Sequence, residues 1–254
     1  MKTTKRSVFQ FIAMMLFGSA LIVGCNNNDP AANGTVILKM DAASATGTTI
    51  NGRSTNGRTQ ATTVITDFKV SIREIEFEFD EEDSHFKTDS SFNEDVKLKG
   101  PFVLDVLEQN AFVEQLIATV NLPNARYEEV KFKLHKSTDV GVMNGKSIYI
   151  TGTIDGKPFI FWHNTDEEFE IDFENADTDL TINGNTAAMV INLQLDRLFS
   201  ALKGGVNLSL AKDGDLDGTI EINPGSIDND GNKAIADAIK NLLEDITDLM
   251  DDKD

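Results

Sequence analysis

The chain has 254 residues, with 23 Lys plus Arg against 42 Asp plus Glu, a formal net charge of −19 and one Cys. That length holds one or two domains, and the charge argues against nucleic acid as a partner, since a polyanion is repelled by such a field. A lone thiol can form neither an internal disulfide nor a multi-thiolate zinc site, so apolar burial must hold the fold together.

The N-terminus starts with Lys2, Lys5 and Arg6 and continues as an apolar run from Val8 to Val23, ending in Gly24-Cys25. A charged start, an apolar middle and a small residue before the cut make residues 1–24 a signal peptide. The run is short for a membrane span, which needs about 20 apolar residues. Ile22-Val23-Gly24-Cys25 resembles the lipobox of bacterial lipoproteins, which implies that Cys25 is lipidated on sulfur and becomes the new N-terminus. Asn26 after that Cys, in place of Asp, resembles outer-membrane sorting. Residues 25–34 are polar and turn-rich and read as a tether between lipid and domain.

Strand signals fill residues 35–224. Thr35 to Met40 is a short β-branched strand, and Ala42 to Thr63, poor in aliphatic residues, reads as a mobile loop. Phe68 to Ile72 and Ile75 to Phe79 both alternate apolar with polar, one residue out of phase, so a β-bulge at Arg73-Glu74 is needed to keep one buried face. Asp80 to Asp95, with His85, Phe86 and Phe92, reads as a long hairpin loop. Val96-Lys97-Leu98 and Phe102 to Val106 return to strand, and Asn110 to Leu116 suggests a short helix.

Leu122-Pro123-Asn124-Ala125-Arg126-Tyr127 leads into a strand through His135. Ser147 to Ile154 and Pro158 to Trp162 form a hairpin turning at Asp155-Gly156, the dipeptide type I′ turns favour. Phe169 to Phe173, Asp179 to Ile182 and, after Asn183-Gly184, Ala188 to Leu195 complete about nine strands, half-buried and mostly antiparallel. The expected fold is all-β, an antiparallel sandwich or open barrel. In residues 225–254 the period changes: Ile235, Ile239, Leu242, Ile246 and Leu249 make one apolar stripe on an acidic amphipathic helix, expected to pack on the sheet or to join a partner.

Several stretches together resemble an uncharacterised family of bacterial cell-envelope lipoproteins with a β-sandwich domain. They are the opening strand ending in Met40-Asp41, Phe68-Lys69-Val70-Ser71-Ile72-Arg73-Glu74-Ile75-Glu76, Leu122 to Tyr127, and Val190-Ile191-Asn192-Leu193-Gln194-Leu195. The family pattern is Leu-Pro-x-Gly-x-Tyr, and here Ala125 stands where Gly is expected. The resemblance runs from about Gly34 to Leu195 and implies a sandwich in the envelope, with no reaction attached.

Enzyme signatures are missing: there is no Gly-x-Ser-x-Gly, His-Glu-x-x-His or Gly-x-Gly-x-x-Gly. Gly141 to Ser147 falls one residue short of a phosphate loop and opens a strand where a helix is required. His85, His135 and His163 are far apart, and the last two read as solvent-facing. Phe159-Ile160-Phe161-Trp162 could offer a sugar-stacking platform, although alternate members of such a run ordinarily fill a core. Asp213-Gly214-Asp215-Leu216-Asp217-Gly218-Thr219-Ile220-Glu221 carries more chemistry. Alternating carboxylates followed by Gly reproduce the first half of an EF-hand-type calcium loop, with Asp213, Asp215, Asp217, Thr219 and Glu221 as ligands. Pro224 occupies the place of the closing Glu, so the last ligand must come from elsewhere, with Asp228 or Asp230 nearest.

The expectation is a lipid-anchored envelope lipoprotein of the outer membrane, a binding or structural module and not an enzyme, with calcium as its ion. Its partners are the membrane, reached through the lipid, and a protein or glycan ligand. The alternative is a carbohydrate-binding or adhesion lipoprotein at the cell surface.

Overall fold

The two out-of-phase runs at Phe68–Ile72 and Ile75–Phe79 join into one long strand, and that strand organises the molecule. In the computed structural model, which describes residues 33–43, 49–50, 61–80, 95–108, 111–173, 179–200, 203–225 and 230–248, it is β3 (Thr63–Phe79). Its register against both neighbours shifts between Ile72 and Glu74, where the bulge was expected. The bulge keeps Phe68, Val70 and Ile72 on the same buried face as Ile75 and Phe77. The signal peptide, Cys25 and the tether to residue 32 lie outside the described residues, as do 44–48 and 51–60 of the first loop and 81–94, with His85, of the second.

The strands are β1 (Asn33–Ala43), β2 (Thr49–Ile50), β3, β4 (Val96–Asp105), β5 (Leu107–Glu108), β6 (Ala111–Phe112), β7 (Gln115–Pro123), β8 (Ala125–Leu134), β9 (Ile148–Ile154), β10 (Lys157–His163), β11 (Glu168–Asp172), β12 (Leu180–Ile182), β13 (Thr186–Gln194) and β14 (Ile220–Ile222). Helix α1 (Leu195–Phe199) follows β13, and α2 (Lys233–Asp248) ends the described chain. The fold is all-β with a C-terminal helix, as expected, but its sheets are mixed. β1 lies between antiparallel β7 and parallel β13, and β14 adds to β10 in parallel.

The larger sheet runs β11-β8-β3-β9-β10-β14, with β2 and β4 on the other edge of β3. β8 and β9 share one edge of β3 end to end, meeting at Ser71, which donates its N–H to the Ser147 carbonyl (2.8 Å) and accepts from the His135 N–H (3.1 Å). No helix forms over the described part of 110–116: β6 and the start of β7 lie there instead, because Ile117, Leu122 and the rest of β7 gain a partner in β1 that a lone short helix would lack.

The chain changes sheet at two corners. The first is Asn124, between β7 and β8, where the Tyr127 hydroxyl donates to the Pro123 carbonyl (3.0 Å). The second is Asn183–Asn185, where the Gly184 N–H donates to Asn124 Oδ1 (2.7 Å) and ties the two corners together. Asn183-Gly184 is therefore a crossing between sheets, not the hairpin turn that its dipeptide suggests. Ala125 in β8 pairs with Ile182 of β12 without positive φ, so the backbone there does not require Gly. Asp155-Gly156 does turn a hairpin, both with positive φ (50° and 82°), as a type I′ turn requires.

The core lies between the sheets, with Phe68, Phe77, Phe132, Phe159 and Phe161 fully buried. One end is covered by α2, which packs on β10, β11, β13, β14 and α1. Its buried line is Ala236, Ile239 and Leu243, with Ile235 and Leu242 partly buried beside it, so the buried stripe is turned by about one residue from the one through Ile235 and Leu242. Leu249 lies outside the described residues.

Candidate metal centre

Acidic residues at alternate positions, with glycines between them, cannot form a regular helix or strand here; they form a loop that captures its own amides. Asp215 Oδ1 accepts from the Asp217 N–H (3.2 Å), Asp217 Oδ1 from the Thr219 N–H (2.8 Å) and Asp213 Oδ2 from the Gly218 N–H (3.1 Å). These are the side-chain turns that Asp favours. Leu216 and Gly218 take positive φ (65° and 96°), reversing the chain so that Ile220–Ile222 can enter the sheet as β14.

A second segment closes the loop. Asp230 is 2% exposed, and its carboxylate accepts three backbone N–H groups: those of Gly214 (2.7 Å) and Asp215 (3.3 Å) on Oδ1, and that of Glu221 (2.5 Å) on Oδ2. Gly214 permits this approach, since a Cβ there would stand 2.6 Å from the Asp230 carbonyl oxygen. Asn232, 1% exposed, clasps the loop from the other side. Its amide donates to the carbonyls of Lys212 (2.7 Å) and Glu221 (2.8 Å), and its Oδ1 accepts from the Lys212 N–H (3.1 Å). The Asn232 carbonyl then accepts from the Ala236 N–H (3.1 Å) and opens α2, so loop and helix are one mechanical unit.

Asp213, Asp215 and Asp230 bring one carboxylate oxygen each to within 4.8 Å of one another. Asp213 Oδ1 is buried and accepts no hydrogen bond, an orphaned anionic oxygen of the kind that a cation satisfies. Hard oxygen donors without His or thiolate suit calcium or magnesium chemistry. Of the five residues expected as ligands, Asp213 and Asp215 belong to this trio, Asp217 and Glu221 stand outside it, and Thr219 contributes an N–H to the loop. Asp230 was legible as one of two nearby acids, whereas Asp228 lies outside the described residues.

Another acidic group, Glu76, Glu78 and Asp95, sits on the outer face of the large sheet. Lysines already lace it: Glu76 pairs with Lys97 and with Lys133 (3.6 Å), and Glu78 with Lys131 (2.7 Å). Glu129 stands directly opposite Glu78 across β8 and β3. Burial, joined by the hydrogen bond to Glu78 and the charge of Glu170, outweighs Lys131 and pushes its carboxyl up to about 7.

The aromatic run divides by parity. Phe159 and Phe161 fill the core, while Trp162 lies on the outer face directly opposite Tyr149, with Lys146 Nζ 5.6 Å and 5.8 Å from the two ring centres. His135 is surface-exposed beside Asp166 (2.6 Å), as expected, but His163 is not: it is 7% exposed, under α2. A strand end suggests solvent, but the inner parity of β10 and the packing of α2 against it bury the ring. No helix among the described residues is long and apolar enough to cross a membrane. No protein-family model, curated protein or solved structure matches the chain.

Proposed function

We propose that the protein is a lipid-anchored lipoprotein of the bacterial envelope that serves as a binding or structural module, with a calcium ion bracing its C-terminal region. The observation that carries the ion is the orphaned Asp213 Oδ1 beside Asp215 and Asp230. Calcium is favoured over magnesium because three carboxylates on an irregular loop do not impose tight octahedral geometry. Asp230 is already occupied by three amides, so the cage is incomplete. Affinity of about 10⁻⁴ to 10⁻³ M follows, as in extracellular modules.

Calorimetric titration with calcium tests the site. Heat at millimolar calcium in the native chain, lost in Asp215→Ala, supports it, and no heat in the native chain reduces the motif to an acidic turn. The anchor rests on Ile22-Val23-Gly24-Cys25. Cys25→Ser is expected to release the protein from the membrane fraction, and a variant that is processed and still sediments with membranes overturns the lipid reading. Because one acyl chain anchors only marginally, mass analysis of the N-terminal peptide should find more than one.

A second reading, glycan binding at the cell surface, draws on the in-register Tyr149–Trp162 pair on the outer face of the β9–β10 hairpin. Aromatic faces of this kind stack on the C–H faces of sugars. Quenching or a shift of Trp162 fluorescence by oligosaccharides would favour it, since this is the one Trp of the chain.

A further inference from the structure

Buried imidazoles are ordinarily hydrogen-bonded on at least one ring nitrogen. His163 is not. It closes β10 with its side chain 9% exposed, and both Nδ1 and Nε2 are buried without a hydrogen-bond partner. The ring lies on the same strand parity as Phe159 and Phe161, on the inner side, and α2 covers it.

The charged groups around it come from two elements. Helix α2 contributes Asp237, whose Oδ1 is 4.0 Å from Nε2, together with Lys233 and Lys240, and the segment before β11 contributes Glu167. These charges are largely spent on each other, since Lys233 binds Asp237 (2.8 Å) and Lys240 binds Glu167 (2.8 Å). From β9 the residue opposite His163 is Ile148, and the acid of β14, Glu221, pairs with Ile160 on the opposite parity.

We propose that His163 is a proton-operated latch on α2: neutral, it lets the helix lie on the end of the sandwich, and protonated, it drives the helix off. An imidazolium left at this site would be desolvated, with two lysines near it and two carboxylates, Asp237 and Glu167, that already serve Lys233 and Lys240. Lifting the helix hydrates the ring and simultaneously uncovers the stripe of Ala236, Ile239 and Leu243. Acidification of the compartment would thus expose an apolar surface that is closed at neutral pH.

Burial lowers the His163 pKa from its ordinary value, with the two lysines acting in the same direction and Asp237 and Glu167 opposing. The sign follows. The lifted state binds the proton more tightly, so helix docking is fully stable above the ordinary histidine range and weakens as pH falls through it. In the window between the two pKa values the equilibrium shifts toward release by about tenfold per pH unit.

The test follows α2 in the full chain by amide hydrogen exchange, corrected for intrinsic rates, between pH 7.5 and 5, with the imidazole carbon resonances of His163 followed by NMR in parallel. The expected result is that His163 titrates below the ordinary range and that amides of residues 236–243 lose protection on acidification while those of β3 and β8 keep theirs. His163→Phe fills the site without a proton acceptor and should hold α2 protected throughout. Titration of His163 at or above the ordinary value overturns the proposal, and so does α2 protection that is independent of pH or a pH-dependent loss that persists in the Phe variant. The NMR titration of the native chain decides the question even if that variant fails to fold.

Discussion

Two carboxylates forced face to face by strand register show how much a single pairing can decide. Glu78 and Glu129 are exposed-parity residues in sequence, each unremarkable alone, and the alignment of β3 with β8 sets them opposite one another. Like charges directly opposite on a sheet are destabilising. The Glu129 carboxyl, raised to about 7, relieves this by holding a proton over part of the neutral range. The folded chain therefore binds more protons than the unfolded one between the ordinary Glu range and pH 7, and stability falls as pH rises through that window. Glu129→Gln should raise the melting temperature at pH 8 and leave it nearly unchanged at pH 4.5. Thermal scans at the two pH values check this, and an equal shift at both would assign the gain to packing.

At the scale of elements, α2 is amphipathic by sequence, but amphipathicity does not choose between a partner and the helix's own sheet. The structure lays Ala236, Ile239 and Leu243 against β10, β11 and α1 of the same chain. Ile239 is completely buried, so Ile239→Ala should cost about 2–5 kcal/mol, the usual range for emptying such a site. Chemical denaturation measures it. If the cost instead depends on protein concentration, the helix is serving an interface between chains. The one-residue rotation of the stripe has a simple cause: the large Ile and Leu side chains mark an apolar stripe in sequence, whereas the small Ala236, completely buried, does not.

For the whole molecule, the acidic loop and α2 share their fastenings, since Asp230 and Asn232 hold the loop and immediately precede the helix. An ion at Asp213, Asp215 and Asp230 would therefore stabilise the assembled end of the sandwich and not the loop alone. With calcium at 10 to 100 times its dissociation constant, the gain is about 1.4 to 2.7 kcal/mol. Differential scanning calorimetry with calcium and with chelator should show a rise of a few degrees. Gly214→Ala, whose Cβ would meet the Asp230 backbone, should lower the melt in both conditions and reduce the difference between them.

Local pattern sufficed for the class of fold, the bulge in β3, the type I′ hairpin at Asp155-Gly156, the acidic loop and the existence of the final helix. Each of these follows from local information: side-chain parity, the φ demanded by a turn, or the period of an apolar stripe. The meeting of distant segments set the parallel pairings of β1 with β13 and β10 with β14, the strands β6 and β7 where a helix over 110–116 was expected, the choice of Asp230 to close the loop, and the burial of His163. These depend on which distant segments meet. Asp230 is buried because Gly214 admits it, and His163 because α2 arrives from more than sixty residues further along the chain to cover it. Local pattern carries no record of such meetings, because burial is a property of two surfaces and each stretch of sequence describes only one of them.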